Sequence, residues 1–457
     1  MTTTAVNVSH RLAEYALSLK YEGVPEPVRR RTRELFLDFL GVALGGRQVE
    51  STPPILAATR ALLSGGSGPC TVVGEAQTFP AHLAAMLNAT LAHSMDFDDT
   101  HAGAVMHIGT PVFATLLALA EEKGSSGRDF LTAAVAGYDV GCKIGKGHGE
   151  SVHHRGFHPS ATTGVFAATA AGGRLLGMAQ PQVLNALGLN VSQAAGSQQF
   201  LENGAWNKRL HVGLACHNAI YSLAFAREGF KGAVSPIEGR FGYYRLYCQD
   251  GYDLERAVSG LGTEFEVMAT AVKPYPCCRY NHGPIDAVVD LVRQHDLRPT
   301  DIAAIDVYMP PTGHALVGEP ADFKRRPSDV VEGQFSVFFA AAVAALWRRY
   351  GWDAYGALSD PQVQGLMQKV HAHADPGVRG LGARTVITTT RGQRLTMDVP
   401  APKGEPENPL AWEEMAEKFR SLATGVLGAE RTRQVIATVG RLDSLADVRE
   451  LTRLLRG

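Results

Sequence analysis

The densest run of chemically able side chains is His93-Ser94-Met95-Asp96-Phe97-Asp98-Asp99-Thr100-His101. If a helix continues through it, His93, Asp96 and Thr100 share one face, at spacings of three and four. Three acids within four residues repel one another, so they cost stability unless a cation or a substrate answers them. Solvated acids at a helix C-terminus are the plainer reading. Asp96-Phe97-Asp98-Asp99 also spells the DxDD pattern of protonating terpene cyclases. Those sites need an aromatic-lined pocket, and 8% aromatic residues with 4 Trp do not favour one.

Histidines gather downstream at His101, His107, His148, His153, His154 and His158. HExxH is absent, and Gly156 and Pro159 place His154 and His158 in a loop, so no metal ligands are expected. His158 stands just before Pro159 and a candidate N-cap among Ser160, Thr162 and Thr163. An imidazole at the positive end of a helix suits an anionic substrate. Two cationic segments complete the picture: Asn207-Lys208-Arg209-Leu210-His211, and Lys273-Pro-Tyr-Pro-Cys-Cys-Arg279. Singly, such lysines read as solvated loop residues. With the His and Asp cluster they describe a pocket able to clamp carboxylates and move protons. Other motifs fail: there is no G-x-S-x-G, Gly141 to Gly147 falls short of a P-loop, and the 6 cysteines form no C-x-x-C.

Helices must position most of these groups. Apolar spacing predicts helices over Arg31 to Leu44, Leu83 to Phe97, Ser160 to Leu176 and Leu210 to Arg227. The character changes near Glu264. Ile302 to Met309 alternates like a half-buried strand, and Arg384 to Val399 reads as a hairpin turning near Arg391-Gly392. Helices around Pro284 to His295 and Phe335 to Arg349 lie between them, and Pro400 to Pro409 reads as a linker before a helical return from Leu410. The fold class is therefore mainly α with a smaller α+β domain. A large all-helical body, residues 1–265 and 408–457, is interrupted by an α+β lid, residues 266–407. No period of 20–50 residues repeats, which sets aside solenoids.

The chain has 457 residues, long enough for such a core, and 44 basic against 45 acidic residues. That balance argues against nucleic acid as a partner. Its longest apolar run, Phe335 to Trp347, is too short to span a bilayer. The first residues lack the basic-then-apolar layout of a signal peptide, so the cytoplasm is the expected location.

These stretches, taken in order, resemble the MmgE/PrpD family. The resemblance rests on Leu37-Asp38-Phe-Leu-Gly41, Asn88 through His101, Gly137-Tyr-Asp-Val-Gly141 and Gly156-Phe-His158-Pro-Ser160. It continues through Lys208-Arg-Leu-His211, Gly229-Phe-Lys-Gly232, Glu238-Gly239, Lys273-Pro-Tyr-Pro-Cys277, Gln334-Phe-Ser336 and Gly404 through Leu410. It implies a two-domain enzyme, usually a homodimer, that acts on a small polycarboxylate without metal or organic cofactor. Members include 2-methylcitrate dehydratase, cis-aconitate decarboxylase and iminodisuccinate epimerase. Asp96, Thr100, His107, His158, Lys208 and Lys273 match the residues that line the family's decarboxylase pocket, although His101 lies close enough to compete with His107. The family often has Tyr after its Phe-Ser-x-Pro stretch, where this chain reads Phe335-Ser-Val-Phe338-Phe339.

The expected function is cofactor-independent acid–base catalysis, foremost a lyase of the 2-methylcitrate dehydratase type. A cis-aconitate-type decarboxylase and an iminodisuccinate-type epimerase are alternatives, and a non-catalytic carboxylate binder is the alternative of another class. His158, His107, Lys208 and Lys273 are the expected catalytic residues, and Asp96, Thr100, His93 and Arg279 the expected substrate-binding ones. Activity should survive prolonged EDTA treatment. Loss that stoichiometric zinc or magnesium restores would contradict the metal-free expectation.

Overall fold

The computed structural model describes residues 7–202 and 204–457; the stretch 1–6, read above for a leader, lies outside the described residues. The chain is mainly helical, with a small sheet toward its C-terminal part. It divides into two compact units, one running up to Val272 and resuming at Ala411–Gly457, the other Lys273–Leu410.

In the first unit, α1 (Glu26–Gly45) has Pro27 in its first turn and buries Leu35, Phe36, Phe39 and Leu40. Helix α2 (Ala81–His93) follows Pro80, whose fixed φ suits an entry into helix. Then come α3 (Gly109–Lys123), α4 (Gly127–His148), α5 (Pro159–Thr162), α6 (Gly164–Leu176) and α7 (Asn207–Arg227). Three details differ from the sequence reading. Helix α2 stops at His93 rather than Phe97, because Asp96 adopts φ 52°, a left-handed conformation that a helix cannot carry. The Ser160–Leu176 helix is instead α5 and α6, divided at Thr163. Helix α7 begins at Asn207, which brings Lys208 into its first turn.

The first unit is not all-helical. Strand β1 (Cys70–Thr71) pairs antiparallel with β2 (Thr78–Phe79), and β3 (Thr100–His101) with β4 (Thr270–Ala271). The second ladder explains why the segment up to Val272 belongs to this unit. Glu266 is buried there, accepting from Lys143 Nζ at 2.8 Å, Lys146 Nζ at 2.9 Å and the His101 ring at 2.9 Å. Arg31 Nη2 donates to the Thr270 carbonyl at 2.8 Å.

The second unit builds a four-stranded sheet in the order β6-β5-β7-β8 from β5 (Ile302–Met309), β6 (Val370–Ala374), β7 (Ala383–Thr389) and β8 (Arg394–Val399). Strands β5 and β6 run parallel, the other pairs antiparallel. The β7–β8 hairpin turns through Gly392, at φ 79°. Ile305, Val307 and Met309 alternate into a core shared with α8 (His282–Gln294) and α9 (Val337–Trp347). Phe338 and Phe339 are buried in that core.

The chain then returns to the first unit through α10 (Trp412–Leu427), which packs on α1. Among the described residues no helix is long and apolar enough to cross a membrane.

Helix α7 approaches α2 so closely that a Cβ on Gly213 would lie 2.3 Å from Thr90 Oγ1 and 2.7 Å from the Met86 carbonyl oxygen. Overpacking of this kind costs about 1–3 kcal/mol. Gly213→Ala should therefore lower the melting temperature measurably and disturb the Lys208 end of α7. An unchanged melting curve would show that the two helices can separate freely.

Candidate active site

The loop between α2 and β3 gives each of its acids a different set of partners, with His107 shared between two of them. Asp96 Oδ1 lies 2.7 Å from Lys208 Nζ and 3.5 Å from His107 Nε2. Asp98 is buried and bridges two imidazoles, with His93 Nδ1 at 2.8 Å from one oxygen and His107 Nδ1 at 3.1 Å from the other. Thr110 Oγ1 also donates to Asp98, at 2.6 Å. Asp99 turns the opposite way and accepts from the Gly109 N–H at 2.9 Å and the Tyr138 hydroxyl at 2.5 Å. The result is an alternating chain of basic and acidic side chains: Lys208, Asp96, His107, Asp98, His93.

His158 joins this chain by ring contact. Its imidazole stacks on His93 at 5.3 Å between ring centres and meets His211 at 5.6 Å, while His93 and His107 meet edge-on at 4.7 Å. The His158 N–H donates to the Gly196 carbonyl at 2.9 Å, and Ser160 Oγ, two residues on, accepts the His107 N–H at 3.0 Å. The turn that opens α5 thereby fixes the backbone of both histidines.

Several buried polar atoms here have no hydrogen-bond partner among the described residues: His93 Nε2, His158 Nδ1, His211 Nδ1 and Thr100 Oγ1. Buried polar atoms without partners are costly, and three of these four belong to rings in mutual contact. A polar ligand or water among those rings would satisfy them.

Burial decides the protonation states. It holds His158 well below the ordinary imidazole range, with the neighbouring His93 and Lys208 charges acting the same way. His211 is pushed down to about 4 by burial and His93. Burial also lowers His107, against the opposing pull of Asp98. For Asp98, burial alone would raise the carboxyl, but the two imidazoles outweigh it and keep it well below the usual range. Asp99, buried beside Asp98 and Asp38, rises to about 7 despite its two hydrogen bonds.

Of the residues singled out in the sequence, the fold brings together His93, Asp96, His107, His158 and Lys208. His101 does not compete with His107: its Nε2 faces Glu266 at 2.9 Å and its Nδ1 accepts the Ala104 N–H at 3.0 Å. Thr100 is buried in β3. Lys273 and Arg279 belong to the second unit, where Lys273 is buried and the Arg279 guanidinium forks onto Glu405. Asp98, Thr110 and Tyr138 were not singled out. Only the excess of acids signalled that such partners were needed.

The expectation that no metal ligands gather needs correction. His93, Asp98 and His107 each offer a ligand atom, all within 4.8 Å of one another. Spacings of five and nine residues across an irregular loop concealed the group. The 2.8 Å separation is that of a charge-assisted hydrogen bond from His93 to Asp98, whereas His107 approaches the other Asp98 oxygen at 3.1 Å without hydrogen-bonding it.

Comparison with known proteins agrees with the architecture. The MmgE/PrpD N-terminal domain matches residues 10–255 and the MmgE/PrpD C-terminal domain matches residues 275–443. The chain belongs to the MmgE/PrpD family. It is 28% identical to a cis-aconitate decarboxylase of Aspergillus terreus, over 98% of this chain and 96% of that protein. It is also 28% identical to a cis-aconitate decarboxylase-like protein of Aspergillus oryzae, over 100% and 98% of the two chains. Identity to the human cis-aconitate decarboxylase is 26%, over 99% and 95%.

The neutral imidazoles make acid sensitivity predictable. Buried His148 bonds to the Gly149 carbonyl and to Thr163 Oγ1, and burial holds it at about 4, against 6.5 for a free side chain. A depressed histidine contributes stability that is present above the unfolded value and is lost as pH falls toward the folded one. Between pH 6.5 and 5 this group alone should remove up to about 2 kcal/mol. Urea unfolding across that range should show the loss, and His148→Gln should flatten it; parallel pH profiles would contradict the assignment.

Proposed function

We propose that the protein is a metal-independent acid–base enzyme acting on a small polycarboxylate, and a carboxy-lyase of the cis-aconitate type in the first instance. The carrying observation is the alternating chain Lys208–Asp96–His107–Asp98–His93, with neutral His158 stacked against its end. The relatives named cis-aconitate decarboxylase support the substrate class.

Decarboxylation breaks a carbon–carboxylate bond, leaves the electron pair on carbon and requires one proton in return. Lys208 supplies a fixed cation for a second carboxylate, where negative charge builds up. His107 lies between the Asp96 and Asp98 carboxylates, and Asp98 opposes the burial that lowers it; we assign it as proton donor on that position. His158, stacked on His93, lines the pocket beside that donor, and would be the proton acceptor only if a hydroxyl rather than carbon dioxide left. His93 and Asp98 orient His107. The same parts could expel a hydroxyl, which keeps 2-methylcitrate dehydration as a second outcome. Lys273 and Arg279 as further carboxylate clamps, and Thr100 as a substrate contact, are proposals that rest on the resemblance.

We further propose a homodimer, supported by the exposed side chains of Leu214, Tyr221, Phe225 and Phe230 along and just beyond α7. A cytoplasmic setting is supported by buried thiols at Cys70, Cys142, Cys216 and Cys248 in place of disulfides.

Incubation with cis-aconitate, 2-methylcitrate and iminodisuccinate in heavy water, read by mass spectrometry, tests the reading. Carbon dioxide release with one deuterium gained from cis-aconitate is expected. Lys208→Ala should lose about 30- to 1000-fold in kcat/KM, equivalent to about 2–4 kcal/mol for a charge-assisted bond in a desolvated site. His158→Gln should lower kcat with little change in KM. Water loss from 2-methylcitrate alone would move the assignment to dehydration, and binding without turnover of any of the three would make the protein a carboxylate binder.

A further inference from the structure

The acid-rich loop holds an unusual shape, with Asp96 left-handed between a helix end and a two-residue strand. Hydrogen bonds at either side of Phe97 account for the acids but not for Phe97 itself. The grip on Phe97 comes from far along the chain. Lys418, in α10, donates from Nζ to the Phe97 carbonyl at 2.9 Å, and the same ammonium lies 3.8 Å from the centre of the Phe97 ring. It is also paired with Asp38 of α1, at 2.5 Å. The Lys418 and Asp38 side chains are 6% and 1% exposed, so solvent does not screen this arrangement.

We propose that Lys418 is a positioning residue for the candidate active site. By holding the backbone and the ring of Phe97 at one point, it sets Asp96 toward Lys208 and Asp98 toward His93 and His107. Asp38, 2.5 Å away, keeps the ammonium aimed.

A purely structural ion pair would behave differently. Replacing both members of a buried pair by neutral groups of similar shape is often tolerated, whereas removing one partner leaves an uncompensated charge. The double variant Asp38→Asn/Lys418→Met removes both charges together with the donor to Phe97, so it separates the two roles. Lys418→Met alone leaves Asp38 buried and unanswered, and is the variant that risks failing to fold.

The turnover arm of the test rests on the proposed function; the exchange arm does not. Hydrogen–deuterium exchange read by mass spectrometry should show peptides covering residues 94–101 exchanging at least about tenfold faster in the double variant. Peptides from α4 and α6 should match wild type. Asp38→Asn alone removes the group that aims the ammonium and should speed exchange at residues 94–101, but less than the double variant does. With cis-aconitate as substrate, kcat should fall at least about tenfold in the double variant, with KM within about threefold, and Lys418→Arg should recover most of it. A folded double variant with wild-type exchange at residues 94–101 overturns the proposal. So does a double variant that fails to fold or loses protection evenly, because either outcome assigns Lys418 to global stability. If the wild-type protein turns over no polycarboxylate, the functional reading fails, and the exchange arm still decides the role of Lys418.

Discussion

Three carboxylates within four residues can enter a protein interior only if each meets a different counterpart. Most of the first unit is arranged around that constraint. Asp96 requires a cation and receives Lys208 from the first turn of α7. Asp98 receives hydrogen bonds from His93 and Thr110 on one oxygen and faces the His107 ring with the other. Asp99 is directed away, to Tyr138 on α4 and the first amide of α3. No continuous helix could serve all three, since side chains three or four apart would face one neighbour. The end of α2 and the left-handed Asp96 follow from the electrostatics.

The same economy appears behind the site. Glu266 collects Lys143, Lys146 and His101, and its carboxyl lies at about 2, because burial is outweighed by three donors. That cluster removes His101 from the chemistry and ties β4 to α4. Buried Asp98, Glu266 and Lys418 are each held by groups from at least two segments of the chain. Pairing across segments converts local chemistry into tertiary constraint.

Legibility in the sequence followed the range of the deciding interaction. Ile302 to Met309 could be read as a strand residue for residue, because its alternation is a local pattern that meets a single core. The β7–β8 hairpin was visible for the same reason. Strand β6 was missed: Val370-His-Ala-His-Ala alternates in polarity, but over only five residues with two weakly strand-forming alanines, and its place is set by parallel pairing with β5. The two-residue ladders of the first unit are too short for any periodicity. His93, Asp96, His107, His158 and Lys208 stood out by residue type, but the role of Asp98 depends on which imidazoles the loop presents to it. The end of α2 was misplaced because spacing describes the helix that could form, whereas the acids' partners come from α3, α4 and α7.

The first unit is assembled from two lengths of chain separated by the whole of Lys273–Leu410. Thr452 and Arg456 bond to Glu121, and α10 reaches α1, so contacts near the two ends of the polypeptide close this unit. Joining such distant segments carries a large loop-closure entropy, which slows folding. The continuous unit between them has no such delay. During synthesis, the later-encoded sheet can therefore settle before the earlier-encoded helices are complete, and α1 waits with part of its apolar face uncovered until α10 is made. Ribosome-bound chains ending before α10 are accordingly the species of this protein with most need of chaperone protection.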